Sequence, residues 1–405
     1  MTRLRTYLQF LPLLLLLAYA TSCAGEDGLI GEDDSGSIGL WGELTAVQDV
    51  TEEDRFVPVP DLPGPPPPLC LDELAPRPAQ AFFSKDCADP ELCPCSPADL
   101  GEVIGHTVRP ATTAVDLCVM ELQDFSVSGA LVQASANGAT VRAIVDDDYA
   151  DASEYAIADL LEAGIPVLDD DDGRIMHSKF VVIDGATVVV TSANFSSFDS
   201  LSNANNLIVL RSSALAGIFT TRFEQFWDEQ AFHKVQNPGP MGASFNGVAA
   251  EVLFGPHWAT VERLVEAIEE AQVAIHFSIF AFTLQEVKDA LLSRCGEVEI
   301  LGVYDGGQAA NSDSVVATGW CSGADVRKAA VQPSPGVSPD YGFRKLHHKL
   351  LIVDPGTSDG LIITGSTNWS YSAATKNDEV MLTLRAADVV DAFESEFQAR
   401  HAEAK

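Results

Sequence analysis

The stretch His177-Ser178-Lys179-Phe180-Val181-Val182-Ile183-Asp184 recurs, 170 positions on, as His347-His348-Lys349-Leu350-Leu351-Ile352-Val353-Asp354. Each copy is a histidine and a lysine two residues apart, an apolar run, and an aspartate five residues after the lysine. On a strand, residues two apart project from one face, so His177 and Lys179 are expected to point together, as are His347 and Lys349. A second apolar run follows each, Thr187 to Val190 and Leu361 to Ile363, ending in Ser192-Ala193-Asn194 and Ser366-Thr367-Asn368. The paired runs read as hairpins that return a hydroxyl and an amide to the His-Lys end, groups suited to holding a phosphate. A lone His-x-Lys is more often a surface strand than a site. Two copies, each trailed by Ser-x-Asn, reverse that judgement.

Outward from the motifs, the chain reads as an internal duplication with a period of about 170 residues, too long for a solenoid and suited to a duplicated domain. Ala79 to Ser84 matches Ala250 to Gly255 as a short strand. In the second copy a helical pattern (Val261, Leu264, Val265, Ile268), a strand-like run from Ala274 to Phe282 and a helix through Leu291 and Leu292 follow. The first copy has Leu131, Val132 and Ala134 on a helix ending at Asn137-Gly138, then a strand from Val141 to Val145. Asp146 and Asp305 close corresponding strands. Phe223, Phe226 and Trp227 in one copy, and Phe393 and Phe397 in the other, lie on a closing helix. The expected fold is α/β: two homologous repeats, residues 79–235 and 250–401, each a mixed sheet flanked by helices, packed with pseudo-two-fold symmetry.

The pattern HxKxxxxD followed by GSxN resembles the paired HKD motifs of the phospholipase D superfamily, over nearly everything from Ala79 onward. The second copy keeps Gly365-Ser366-Thr367-Asn368, whereas the first has Thr191 where the family has glycine. The family also places an acidic residue soon after the Asn to orient an imidazole. Asn377-Asp378-Glu379 supplies Glu379, and the matching Asn205-Asn206-Leu207 offers Leu207. Asn205, Asn206 or Asp199 would then have to substitute, or the site is weakened.

The chemistry follows from the residue types. One imidazole attacks phosphorus to give a phosphohistidine, and the other protonates the departing oxygen and later activates water. Lysines and asparagines stabilise the equatorial oxygens. The resemblance implies His177 as nucleophile and His347 as general acid and base, with pseudo-symmetry allowing the reverse. Lys179, Lys349 and Glu379 complete the catalytic set, and Ser192, Asn194, Ser366 and Asn368 are the expected phosphate ligands. Asp184 and Asp354 belong to the motif but face the opposite side of the strand, where they are expected to pin its end. No cofactor or metal is called for. The acidic runs Asp146 to Asp148 and Asp169 to Asp172 lack the Gly-centred spacing of a calcium loop and read as solvated turns.

Composition bounds the substrate. The 405 residues carry a net charge of -35, and such a polyanion repels nucleic acid unless a basic pocket overrides the surface field. The expected reaction is therefore hydrolysis of phospholipid head groups at a membrane surface. A secreted endonuclease of the same superfamily and a catalytically weakened envelope-binding lipoprotein are the alternatives. A monomer is expected, since both half-sites lie in one chain.

At the N-terminus, Arg3 and Arg5 precede an apolar run from Leu8 to Ala20, an export signal over residues 1–22. Ala20-Thr21-Ser22-Cys23 resembles a lipobox with Cys23 lipidated, and cleavage after Ala18-Tyr19-Ala20 is the competing reading. The protein is expected in the cell envelope, as an outer-membrane lipoprotein, or secreted. Residues 23–78 are acidic, then proline-rich, and read as a tether. Export permits disulfides among Cys70, Cys87, Cys93, Cys95, Cys295 and Cys321, leaving Cys118 as a buried thiol. Of the aromatic residues near apolar strands, Trp258 and Trp320 are candidate membrane contacts.

Overall fold

The computed structural model describes residues 71 and 75–330, except 86, 87, 90, 94, 96, 152–154 and 172, together with residues 345–405. The export signal, Cys23, nearly all of the tether, Cys70, Cys87 and Asp172 lie outside the described residues.

Two mixed sheets carry the fold. The first contains β1 (Ala79–Phe83), β2 (Ala114–Val119), β3 (Thr140–Ile144), β4 (Val167–Leu168), β5 (Lys179–Ile183), β6 (Thr187–Thr191) and β7 (Asn206–Arg211), in the order β1-β7-β6-β5-β2-β3-β4. The second contains β8 (Met241–Phe245), β9 (Val248–Phe254), β10 (Ala274–Ile279), β11 (Glu299–Tyr304), β12 (Asp325–Lys328), β13 (Lys349–Val353), β14 (Leu361–Gly365) and β15 (Val380–Arg385). Its order is β12-β11-β10-β13-β14-β15-β9-β8, the first sheet's order with β8 added at one edge. The registers repeat as well: Val119 pairs with Lys179 and Ile279 with Lys349, while Phe83 pairs with Asn206 and Phe254 with Val380.

The sheet strands are apolar on both faces because both faces are covered. In β5, Phe180 and Val182 join one cluster and Val181 and Ile183 another. The outer face of the first sheet packs on α1 (Leu100–Val108), α2 (Phe125–Ala136) and α3 (Tyr155–Glu162), and that of the second on α6 (Ala259–Glu270) and α7 (Gln285–Ser293). Between the sheets lie α5 (Ser213–Trp227) and α9 (Ala387–Glu403), whose aromatic residues cross to the opposite half. Phe219 meets Phe254 with ring centroids 5.5 Å apart, and Phe393 meets Phe83 at 4.9 Å. The repeats therefore share one core and one seam.

A buried ion pair reinforces the seam. Arg222 of α5 donates to Asp378 at 2.7 Å and lies over the Phe226 ring at 4.0 Å, with both charged side chains at most 2% exposed. Removing one partner leaves an uncompensated buried charge. Arg222→Ala is therefore expected to cost about 3–5 kcal/mol, read as a lowered midpoint in chemical denaturation.

Two expectations need correction. The strand beginning at Ala274 ends at Ile279, because residues 280–282 leave the sheet to bond His348 and Trp369. Asp146 and Asp170 are not solvated: they are 2% and 8% exposed, and both accept backbone N–H bonds. Trp258 and Trp320 pack partly buried against the outer cluster of the second sheet, and Trp320 donates its indole N–H to Val316. Cys295 and Cys321 form a disulfide, Cys93 and Cys95 are disulfide-bonded, and Cys118 is a buried free thiol. No helix among the described residues is long and apolar enough to cross a membrane.

Candidate active site

Each HxK strand leads into a two-strand hairpin whose turn is built on the motif aspartate. Asp184 and Gly185 both take positive φ, 51° and 60°, the conformation of the tight turn that matches strand twist. From there the Asp184 carboxylate accepts the backbone N–H groups of Thr112, Thr113 and Ala114, and Asp354 does the same for Gln272, Val273 and Ala274. Burial pushes the Asp184 carboxyl up, but its N–H donors outweigh burial and hold it below the usual range. Both aspartates thus tie the hairpin to β2 or β10 at the end of the strand away from the histidines.

At the other end the two halves meet. His177 Nδ1 donates to Glu379 at 2.8 and 3.0 Å, and His347 Nδ1 donates to the Asn205 carbonyl at 3.0 Å. The partners cross: each histidine is oriented by the opposite repeat. With Nδ1–H committed, each Nε2 carries the free lone pair. Ser366 Oγ donates to Glu379 at 2.5 Å and accepts from Val380 N–H, while Ser192 Oγ donates to Asn205 at 2.8 Å and accepts from Asn206 N–H.

The crossed geometry corrects one expectation. The position equivalent to Glu379 is Asn205 and not Leu207, since Asn206 and Val380 are the matched strand starts. Leu207 lies one residue inside β7, paired with Phe82 and fully buried. Ser192 and Ser366 commit their single donors to the histidine partners. The side-chain carbonyl oxygens of Asn194 and Asn368 are buried without a hydrogen-bond partner.

The substitution of an amide for a carboxylate is partly offset by Asp199 of α4 (Ser197–Leu201). Its carboxylate lies 3.9 Å from His347 Nδ1 and accepts from Asn203 and from the Asn205 amide. The glycine departure also has a local reason. Gly365 has φ 123°, and a Cβ there would meet the Val380 carbonyl at 2.3 Å. Thr191 at the matching place is accommodated in β6, its Oγ1 donating to the Asn206 carbonyl at 2.6 Å.

Lys179 and Lys349 are at most 2% exposed, and their ammonium groups donate to the carbonyls of His177 and His347 at 2.9 and 2.7 Å. Burial lowers Lys179 to about 8, opposed by the charges of Glu379 and Asp199. Lys349 falls to about 7 through burial and then the charge of Lys179. Burial also lowers His177, with Glu379 opposing it, and pushes His347 well below the usual imidazole range, where Lys349 and Lys179 add to the effect. The electrostatics are those of a water-excluded pocket arranged for an anion.

Phe280, in the apolar run from Ala274 to Phe282, packs edge-on against His347 with centroids 4.7 Å apart, and the Lys349 ammonium sits 4.9 Å from its ring. By register, the matching position in the first half is Met120. Asp146, Asp147 and Asp170 bring one carboxylate oxygen each within 4.8 Å of one another. Asp146 and Asp170 engage Met176, Asp148, Asp147 and His233, so the cluster reads as a structural brace.

The family model for the cardiolipin synthase PLD-like domain matches residues 104–227 and 264–401. Mitochondrial cardiolipin hydrolase of Xenopus tropicalis is 31% identical over 119 residues, covering 29% of this chain and 57% of that protein. Phospholipase D of Rickettsia conorii is 27% identical over 124 residues, covering 31% of this chain and 62% of that protein. The chain thus matches somewhat more than half the length of these relatives. Among solved structures, phosphatidylserine synthase of Haemophilus influenzae superposes with a TM-score of 0.57 at 11% identity, over 82% of this chain and 88% of that one, a likeness of fold. With a duplicated sheet, crossed histidine partners and a family match in both halves, the chain belongs to the phospholipase D-like family of phosphodiesterases.

Proposed function

We propose that the protein is a phospholipase D-type hydrolase that releases phospholipid head groups through a phosphohistidine. The observation that carries this reading is the pair of imidazoles, each with Nδ1 held by a partner from the other repeat, beside two buried lysines. His177 Nε2 attacks phosphorus, and the P–O bond to the head group breaks. His347, as imidazolium, gives its proton to the leaving oxygen. Water then gives a proton to His347 and attacks phosphorus, the P–N bond breaks, and phosphatidate leaves with His177 restored. Positive charge develops on the attacking imidazole, so the histidine beside the carboxylate of Glu379 suits that role. Burial and then the charges of Lys349 and Lys179 hold His347 well below the usual imidazole range, and the negative charge of a bound phosphodiester favours its protonation.

The lipid assignment draws on the net charge of -35 and on acidic groups around the site, where Glu121, Asp146 and Asp199 act on Lys179. The printed names of the relatives, cardiolipin hydrolase and phospholipase D, agree with it. The leader and Cys23 complete the proposal: an exported enzyme tethered at the envelope, acting as a monomer. The deciding assay measures head-group release from mixed vesicles of phosphatidylcholine, phosphatidylethanolamine and cardiolipin, beside cleavage of single- and double-stranded DNA, all in chelator. Lipid turnover is expected. Cleavage of DNA without lipid turnover overturns the lipid assignment, turnover of neither favours a weakened binding protein, and strict metal dependence overturns the phosphohistidine route.

The lysines also set a pH dependence. Each must be an ammonium to balance the phosphate, and burial lowers both, so the charge is present below and lost above about 7 for Lys349 and about 8 for Lys179. The alkaline limb of kcat/KM, which reports the free enzyme, should fall through that range, whereas kcat should hold to higher pH because bound phosphate keeps the lysines charged.

A further inference from the structure

Each half closes the strand two places from its HxK strand on a buried aspartate, and the two make the same contact. Asp146 follows β3 by two residues, is 2% exposed and accepts the Met176 N–H at 2.7 Å. Asp305 follows β11, is 5% exposed and accepts the Leu346 N–H at 3.1 Å. Met176 and Leu346 are the residues immediately before His177 and His347. The second carboxylate oxygen is also used: Asp146 caps Asp148 N–H at 3.2 Å, and Asp305 caps Gly307 and Gln308 N–H, both at 2.9 Å.

A backbone N–H does not need a buried charge for its satisfaction; a carbonyl or an asparagine would serve with less desolvation cost. The loops that follow differ in sequence, Asp147-Asp148-Tyr149 in one half and Gly306-Gly307-Gln308 in the other, whereas the carboxylate, its cap on the N–H two residues on and its bond to the residue before the histidine recur. The feature common to the two surroundings is a fully buried lysine. We propose that Asp146 and Asp305 are positioning residues of the phosphodiester site, each fixing the backbone that enters the reactive histidine and supplying a buried negative charge to its half of the site. This rests on the phosphodiesterase reading.

The charges acting on the lysines agree. Against burial, Lys179 is kept cationic by Glu379, Asp199 of α4, Glu121 after β2 and Asp146. Lys349, depressed by burial and by Lys179, is supported by Asp199, Glu379 and Asp305. Asp146 is itself raised to about 6 by burial and the charge of Asp170, against the Met176 and Asp148 N–H bonds, and is ionised at neutral pH.

The test compares Asp146→Asn and Asp305→Asn, which keep an acceptor oxygen and remove the charge, with the Ala variants, which remove both, using bis(p-nitrophenyl) phosphate so that no lipid preference enters. The Asn variants should move the alkaline limb of kcat/KM about one pH unit lower with the fold intact, and the Ala variants should lose a further ~10–100-fold in kcat from misplacement of the histidine. The Glu variants keep the charge and shift the clamp, so they should hold the limb and lose kcat. NMR titration of the Lys179 and Lys349 13Cε resonances reads the same shift without turnover. Lysine titration unchanged in the Asn variants, or an Ala loss matched by lost folded fraction, overturns the inference. A wild type inert toward the phosphodiester, with lysines shifted by the Asn variants, overturns the phosphodiesterase reading and leaves the electrostatic role standing.

Discussion

Alanine at His177 should lower steady-state turnover by about 10⁴-fold or more, and alanine at His347 should do nearly the same on natural substrates, with the double variant little worse than either single one. The two histidines act on one phosphorus in sequence, so deleting either stops the cycle and their effects do not add. An activated leaving group separates them. p-Nitrophenolate departs without a proton, so His347→Ala should release about one equivalent of it in a burst and then stall, its phosphohistidine no longer hydrolysed. His177→Ala should show no burst, because nothing attacks. Acid-labile, base-stable label retained on His347→Ala after quenching would mark the P–N bond. A burst from His177→Ala with none from His347→Ala would reverse the two roles, which the pseudo-symmetry permits in principle but the placement of Glu379 opposes.

Much of this arrangement was legible before any coordinate, because the repeat supplies its own control: residues that recur at 177, 179, 347 and 349 in otherwise different strands are held in place by something other than packing. The sheets were legible for the same reason, since long apolar runs such as Phe180 to Ile183 and Leu350 to Val353 require cover on both faces. Matching Asn205-Asn206 to Asn377-Asp378 by residue type sets Leu207 opposite Glu379, but Asn205 and Glu379 each lie 11 residues after the Asn of Ser-x-Asn, and the pairing of β1 with β7 and β9 with β15 fixes Asn205 as the equivalent. The bonds of Ser192 and Ser366 to the crossed partners of the histidines are not legible locally, because those partners come together only in the tertiary structure. Phe280 looked like core because Phe277 and Phe282 on either side of it are core. The hairpin of β8 and β9 carries a local signal, Asn246-Gly247 with both residues at positive φ, but it stands outside the repeat because the first half has no counterpart.

Glutamine at Glu379 should cost about 10²–10⁴-fold in kcat with little change in KM, a loss larger than asparagine's presence at position 205 would suggest. In the first half the amide works because its surroundings sort its two ends. The Asn205 carbonyl accepts from His347 and Ser192, and its NH2 group turns to the Asp199 carboxylate and carbonyl. The residue corresponding to Asp199 in α8 (Tyr371–Thr375) is Ala373, which offers no side-chain acceptor. A glutamine at 379 that keeps its carbonyl toward His177 therefore leaves its NH2 without that acceptor in a buried pocket. One that turns over presents a donor to His177 Nδ1, which moves the proton to Nε2 and removes the attacking lone pair. Either way the carboxylate that stabilises the charged imidazole during attack is gone. The converse change, Asn205→Asp, adds a second carboxylate beside Asp199 at 3.9 Å from His347 and should raise the pKa of that imidazole, extending the range over which it is protonated. If Glu379→Gln retained wild-type kcat across the pH profile, the carboxylate would have no part in the attack, and the asymmetry between the two halves would carry no assignment of roles.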